Sequence, residues 1–258
     1  MKTSVPVLLL IALIACRPAT AQQAPDNQQT PDKQLATDKW QITDNSFLIE
    51  EAFNQEAGVF QNIFVWTRGP HGTWQAAFTQ EWPAPTMTHQ FSYTIPFAGT
   101  RSAGGLNDAQ LHYRYQLLAE SSRRPAVSPR LSAIIPTGDD GDGLGNGSAG
   151  FQFNIPASKQ FGNLYVHLNV GATWLRGDSW TPLVGSGVIW QVSPRWNLML
   201  EAVSEPGQTV TWSPGLRHGW SVGEGQVVVG AAVPVTFDAE APTSTAFLAY
   251  FSYETRFR

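Results

Sequence analysis

Charged residues that stand two apart in alternating segments are the side chains of this chain best placed to act on a solute. His112 and Arg114 share one face of their segment, and Arg130 lies in the next segment. A pair of cations in a narrow, low-dielectric passage raises the local anion concentration and repels cations. Glu81 and Glu201 are candidate partners, whose ion pairs with the arginines would hold a narrow barrel closed. The sequence therefore predicts a selectivity constriction or a structural ion-pair network and leaves the two open.

Two further polar residues, His167 and Asn169, share one face of a later segment and are interpreted as lining of the same passage. His218 and Ser221 are the nearest candidates for a hydrolytic base and nucleophile, a pair that a third group must orient. The sequence places both residues at a turn, and no Asn or Asp follows that could orient them. We therefore predict no catalytic residue.

The glycine-rich stretch 137–147 carries oxygen-bearing side chains at a spacing that suits calcium, namely those of Asp139, Asp140, Asp142 and Asn146. Calcium takes about six to eight oxygen ligands, and an EF-hand continues to a bidentate Glu that does not occur here. We interpret the stretch as a solvated loop. The sequence predicts no metal and no cofactor.

The elements that position these residues are strands, because apolar and polar residues alternate from Gly58 onward. Twelve such segments follow one another, each about 9 to 14 residues long, whereas soluble strands average about 5 to 6 residues. The charged content of 14% is also low, since soluble domains hold about 25%. We predict an all-β chain that forms an antiparallel transmembrane barrel of about twelve strands. The segments are 58–67, 73–82, 88–97, 108–119, 126–136, 148–157, 163–175, 182–192, 195–204, 208–215, 225–235 and 244–257.

Tryptophans stand near the ends of these segments. Trp66 and Trp74 flank one proposed outer turn, and Trp82, Trp190 and Trp196 stand at the opposite ends. Amphipathic rings gather at membrane–water interfaces, where they form two girdles around a barrel. The placement favours a membrane barrel over a soluble sandwich.

The connections alternate in length, and the last segment has the form of an assembly signal. Residues 98–107 and 137–147 are long and polar, whereas 157–161 and 193–194 read as tight, an asymmetry typical of outer-membrane barrels. The final alternating segment has an aromatic residue, Phe257, next to its end. We expect outer-membrane lipid and the barrel-assembly machinery as partners.

The N-terminus reads as a targeting segment. Residues 1–21 form a signal peptide with cleavage after Ala21, and lipid attachment to Cys16 is the alternative. Residues 22–57 are expected to be a flexible periplasmic segment, and residues 58–258 the barrel. Within the segment, 44–57 breaks the alternation and could form a short helix, either as a small plug or as an ordered stretch packed under the barrel.

The sequence resembles the family named after a proposed meta-cleavage pathway of phenol degradation. The resemblance rests on Ser128-Pro129-Arg130-Leu131, on 134–139, on 150–156 and on Leu168-Asn169-Val170-Gly171. It implies an outer-membrane barrel with a transport role and aromatic solutes, and it brings no catalytic residues.

We therefore expect an outer-membrane barrel that gives passage to small solutes. The alternatives are a non-conducting structural or adhesion barrel and a lipid-modifying barrel enzyme. Nucleic acid is excluded as a partner, because the formal net charge is −4 and no basic patch is present.

Overall fold

The computed structural model describes Ile42, residues 46–205 and residues 209–256. These residues belong to one compact unit, Asp38–Arg258. The predicted signal peptide 1–21, Cys16, the stretch 22–41 and Phe257 lie outside the described residues. Among the described residues, no helix is long and apolar enough to cross a membrane.

Within the described ranges, sixteen strands form one antiparallel sheet. They are β1 (Val59–Arg68), β2 (Trp74–Pro83), β3 (His89–Gly99), β4 (Gly104–Leu106), β5 (Ala109–Tyr115), β6 (Ala126–Val127), β7 (Arg130–Ile135), β8 (Gly150–Phe161), β9 (Leu164–Leu175), β10 (Thr181–Ser193), β11 (Trp196–Glu205), β12 (Thr209–Val222), β13 (Gly225–Ala232), β14 (Val235–Asp238), β15 (Ser244–Thr245) and β16 (Phe247–Arg256). The short strands β4, β6, β14 and β15 extend the sheet at its ends. The two 3-10 turns are Pro70–Gly72 and Asp140–Asp142.

The other twelve strands close into a barrel. β1 pairs with β16, with Phe64 opposite Phe251, and β11 pairs with β12, with Glu201 opposite Ser213. Closure gives each barrel strand two paired neighbours and removes the open edges that invite aggregation. The predicted all-β barrel of about twelve strands is confirmed.

Two strands extend well past their predicted ends. β12 continues to Val222, beyond the predicted end at 215, so His218 and Ser221 lie in a strand and not at a turn. β8 continues to Phe161 through the region that is predicted to be a tight connection. The turns form one residue further on, at Gly162 and Gly223, whose φ values of 63° and 61° are left-handed. Glycine adopts that conformation without a steric penalty.

The barrel has an apolar outer face and a mostly polar inner face. On β9, Leu168 and Val170 point outward and are 53% and 59% exposed, whereas the neighbouring His167 and Asn169 point inward and are buried. Large exposed apolar residues also occur on each of the remaining barrel strands, with the exception of β2. An apolar surface of this extent is not kept in water by a soluble monomer.

The two ends of the barrel differ. The end where β1 begins and β16 ends is named the terminal end, and the other, which carries the connections 100–103, 136–149 and 176–180, is named the loop end. Exposed tryptophans stand at both, with Trp66 and Trp180 near the loop end and Trp190 and Trp196 near the terminal end. The connection 116–129, which contains β6, is longer than the sequence predicts for the terminal end.

Candidate functional site

The lumen of the barrel is filled by the chain that precedes β1. Residues 46–57, named the plug, run through the lumen, and Ala52, Ile49 and Phe47 are 0%, 6% and 9% exposed. From the sequence, these residues are expected in a flexible periplasmic segment, in which 44–57 could form a short helix and act either as a small plug or periplasmic gate or as an ordered stretch packed under the barrel. The structure places them inside the barrel, in bends and extended stretches without a helix.

The main chain of the plug is bonded to side chains of the wall. The Glu201 carboxylate accepts the N–H groups of Leu48 and Ile49 at 2.9 and 3.2 Å. Asn169 accepts the N–H of Glu50 at 2.9 Å and donates to its carbonyl at 2.8 Å. Buried backbone groups must find partners, so these wall side chains take the role that a helix or sheet ladder would have.

Ala52, halfway along the plug, is held in the same way. Its N–H donates to Ser158 Oγ at 2.7 Å, and its carbonyl accepts from Ser128 Oγ at 2.9 Å. Arg114 donates to the carbonyls of Glu51 and Phe53 at 3.0 and 2.7 Å. No strand pairing joins residues 46–57 to the wall within the described ranges, so the plug is a bound segment and not part of the sheet.

Glu50 is the main ionic contact of the plug. Its Oε1 lies 2.6 Å from Arg130 Nη2 and accepts from Asn154 Nδ2 at 2.8 Å, while its Oε2 lies 4.0 Å from Arg114 Nη1. The side chains of Glu50 and Arg130 are 19% and 18% exposed. A charge-assisted pair at this separation and burial is among the stronger hydrogen bonds that proteins make.

Glu51 turns toward a different part of the wall. Its Oε1 lies 3.6 Å from Arg217 Nη2 and 3.9 Å from His167 Nε2, and it accepts from Ser46 Oγ at 3.1 Å. Glu50 thus contacts the arginines of β5 and β7, whereas the adjacent Glu51 contacts the arginine of β12.

On β10, β12 and β13, the wall has pockets made by inward-facing glycines. A Cβ atom built on Gly185 or Gly187 would lie 2.7 or 2.6 Å from a side-chain carbon of Ile49. Phe47 fills the space over Gly215 and Gly230, and Ile42 the space over Gly219. A Cβ atom at Gly185, Gly187 or Gly230 would collide with a side chain of the plug, so the wall is shaped to hold it.

All seven predicted site residues face the lumen, and the structure brings five of them into contact with the plug. These five are Arg114, Arg130, Asn169, Glu201 and His167. His167 bonds to Ser158 Oγ at 2.7 Å, directly beside the plug. Glu81 accepts from Gln90 Nε2 at 2.9 Å, and His112 bonds to Ser132 Oγ at 2.8 Å and Thr94 Oγ1 at 3.0 Å.

The structure gives the two arginines a carboxylate that the sequence did not suggest. The sequence suggests Glu81 or Glu201 as partners of Arg114 and Arg130, whereas both arginines face Glu50. Glu201 instead accepts backbone N–H groups of the plug. Sequence reasoning missed Glu50, Glu51 and Arg217. Arg217 alternates with the apolar Leu216, which indicates an inward-facing residue. This pattern was missed because the strand was predicted to end at 215, before both residues.

A cavity of about 240 Å³ remains in the lumen between the plug and strands β1, β2, β3, β5, β7 and β16. Glu50, Arg114 and Arg130 line one part of it, and Ile63, Val65 and Tyr250 another. A second cavity of about 430 Å³ opens at the loop end between Trp74, Thr100 and Leu144. Both are small compared with a water-filled porin channel.

The loop with the oxygen-bearing side chains is pinned by Asp108. The Asp108 carboxylate accepts from the N–H of Gly138 at 3.2 Å and from the N–H and Nδ2 of Asn146 at 2.6 and 3.0 Å. Asp139 caps the 3-10 turn by accepting from the N–H of Gly141. In the part of the chain that the structure describes, no group of three or more His, Cys, Asp or Glu is arranged to hold a metal.

Among solved structures, the chain is similar to the KdgM porin in complex with disordered oligogalacturonate. The TM-score is 0.50 at 8% identity, over 78% of this chain and 99% of the porin chain. A mutant of the Rh. blastica porin matches with a TM-score of 0.30 at 8% identity, over 77% of this chain and 99% of that chain. No protein-family model and no curated protein matches the sequence. The first likeness shows a shared barrel fold, and the phenol-degradation family stays a prediction.

Proposed function

We propose that this protein is an outer-membrane barrel that passes small solutes when its plug leaves the lumen. The apolar outer face would lie in lipid, with the terminal end in the periplasm and the loop end outside. The observation that carries the proposal is the construction of the lumen. Its polar wall holds the plug mainly through side chains, and no strand pairing joins residues 46–57 to the wall in the described part of the chain, so the plug can leave without breaking a strand pair.

The predicted constriction residues fit this proposal. Arg114 and Arg130 lie at the level of the plug and bind its main chain and Glu50. Once the plug leaves, the two guanidinium groups would border the passage, because the strands that carry them stay in the sheet. Aromatic solutes remain part of the proposal on the strength of the family resemblance.

A non-conducting barrel is the second candidate, and the filled lumen favours it. In that case the plug would be a permanent core that stabilises the barrel, as a hydrogen-bonded network inside a narrow barrel can.

A lipid-modifying enzyme finds less support in the geometry. His218 and Ser221 lie on opposite faces of β12, with the His218 ring 4.4 Å from that of Trp196 on the outer face. Ser158 and His167 do form a serine–histidine pair, but they are 1% and 0% exposed. The Ser158 hydroxyl also accepts the N–H of Ala52, so the plug covers this pair completely.

Planar-bilayer conductance of three proteins tests the proposal. We expect the wild-type chain to conduct rarely and a variant that lacks residues 22–57 to conduct steadily. The third is Ile49→Cys/Gly185→Cys in a Cys16→Ser background. A Cβ on residue 185 lies 2.7 Å from Ile49 Cγ2, which places the two Cβ atoms at most about 4.2 Å apart, within the range of a disulfide.

The locked variant supplies the matched control. Oxidation should hold the plug in place and silence the barrel, and reduction should restore the wild-type openings. Folding of each variant is checked by heat-modifiable migration on gels. If the folded variant without residues 22–57 does not conduct, the lumen is blocked by the wall itself and the non-conducting alternative holds.

A further inference from the structure

The cavity beside the plug has the lining of a site for a small amphipathic anion. Arg114, Arg130 and His112 line it on the side of β5 and β7, Glu81 lines it on the side of β2, and Ile63, Val65 and Tyr250 line it on the side of β1 and β16. Its volume of about 240 Å³ lies below the range of drug-sized pockets. It therefore suits a molecule with one ring or a short alkyl chain and one charged group.

The charged end of this cavity already holds a carboxylate, which belongs to the protein itself. Glu50 Oε1 contacts Arg130 Nη2 at 2.6 Å and Asn154 Nδ2 at 2.8 Å. Both residues belong to the wall, and Glu50 is a plug residue. The wall thus presents a guanidinium and an amide to a carboxylate, and the plug supplies that carboxylate from within the chain.

The contact leaves spare hydrogen-bonding capacity on both sides. Arg130 Nε and Glu50 Oε2 are buried, and neither has a hydrogen-bond partner among the described residues. A guanidinium binds a carboxylate best through two parallel N–H···O bonds. Glu50 makes one bond to Arg130, and a free carboxylate has no backbone tether to prevent the second.

We propose that this cavity binds small organic carboxylates with an apolar body, and that the bound carboxylate takes the place of Glu50 at Arg130. The apolar body lies against Ile63, Val65 and Tyr250, which are also wall residues and stay in place when the plug moves. Displacement of Glu50 removes the main ionic contact of the plug. The site deepens the proposed function because its ligand would be the solute class that releases the plug.

A neutral or cationic solute fits the same cavity less well. A cation in the place of the Glu50 carboxylate would face Arg114 and Arg130, and like charges at short range in a low dielectric repel strongly. The Glu81 carboxylate, which also lines the cavity, accepts a hydrogen bond from Gln90 Nε2. A neutral amide offers no charge to replace the carboxylate of Glu50. The chemistry of the wall therefore selects a carboxylate over its amide.

Calorimetric titration of the full chain in detergent tests the site, with sodium benzoate as the probe and benzamide as its neutral match. We expect benzoate to bind and benzamide to bind at least about tenfold more weakly. Glu50→Gln keeps the shape of the plug but removes the competing charge, so benzoate should bind this variant about tenfold more tightly than the wild type. Glu56→Gln, which breaks the exposed pair with Arg256, is the matched control and should leave affinity unchanged.

Two further variants change the wall. Arg130→Gln should weaken benzoate binding at least about tenfold, and Val65→Phe, which fills the cavity from its apolar side, should weaken it as well. If Arg130→Gln does not fold, Val65→Phe still decides the location of the site. Equal binding of benzoate and benzamide, or unchanged benzoate affinity in Glu50→Gln, overturns the proposal. The proposed function can fail separately. If no variant conducts but Glu50→Gln still binds benzoate more tightly than the wild type, passage through the lumen is refuted and the binding site stands.

Discussion

Replacement of Gly187 by Val should release the plug while leaving the barrel folded. A Cβ at position 187 lies 2.6 Å from Ile49 Cδ1 and 3.5 Å from its Cγ1, and the two methyl groups of valine need further space. Ile49 must then leave its pocket. Full burial of an isoleucine side chain contributes about 1.5–3 kcal/mol, and Ile49 is 6% exposed. Loss of most of that burial raises the population of released plug about 10- to 100-fold.

The release can be measured as the labelling rate of a cysteine in the plug by a membrane-impermeant thiol reagent. Ala52→Cys in a Cys16→Ser background provides the probe, because Ala52 is 0% exposed. The matched control is Ser186→Val, which puts the same side chain one residue away on the exposed outer face of β10. Labelling should rise in Gly187→Val and stay at the background rate in Ser186→Val.

A double-mutant cycle separates steric expulsion from a general effect on the barrel. Ile49→Ala removes the side chain that clashes with the introduced valine, so adding it to Gly187→Val should lower the labelling rate toward that of Ile49→Ala alone. If the two changes simply add, the glycine pocket is not what holds Ile49. If Gly187→Val labels no faster than Ser186→Val, the plug is not held by this wall at all.

Two further predictions concern the apolar outer face and the loop end. Leu168→Arg should lower the free energy of folding into bilayers by about 2–4 kcal/mol, because Leu168 points outward and is 53% exposed. Thr173→Arg, on the inner face of the same strand, should cost much less, and equal costs in bilayer unfolding curves would overturn the facing of β9. Asp108→Ala removes three hydrogen bonds to 138–146 and should loosen that loop by about 1–3 kcal/mol. Limited proteolysis should then cut the loop faster, whereas Asp142→Ala, at an exposed position, should leave the rate unchanged.

The fold was accessible from the sequence because a strand with one apolar face and one polar face repeats every two residues. Leu168 and Asn169 alternate as the pleat requires, and the same pattern repeats in twelve segments. The pattern failed where the wall lacks inward side chains. In β12, Gly215 faces Phe47 of the plug and Gly219 faces Ile42, and their lack of side chains weakened the alternation that would have carried the strand to Val222.

The inward direction of Arg114 and Arg130 followed from the same alternation, but their partner did not. Glu50 lies 80 positions before Arg130 in the chain, in a stretch with no strand or helix period to locate it. Local pattern gives the face on which a residue lies. It does not say which distant segment occupies the space beyond that face.

The inner face of a barrel therefore leaves one question open to sequence reasoning. Polar inward side chains must be either wet or hydrogen-bonded, because an unpaired polar group in a dry interior costs several kcal/mol. The alternation of apolar and polar residues is the same in a water-filled barrel and in a barrel with a hydrogen-bonded interior. The glycines of β10, β12 and β13 distinguish them, since a wet wall has no need of pockets, whereas Gly185, Gly187 and Gly230 each leave room for a plug side chain. A filled lumen is therefore indicated by inward-facing glycines together with apolar residues in the segment that precedes the barrel. In this chain those apolar residues are Phe47 and Ile49.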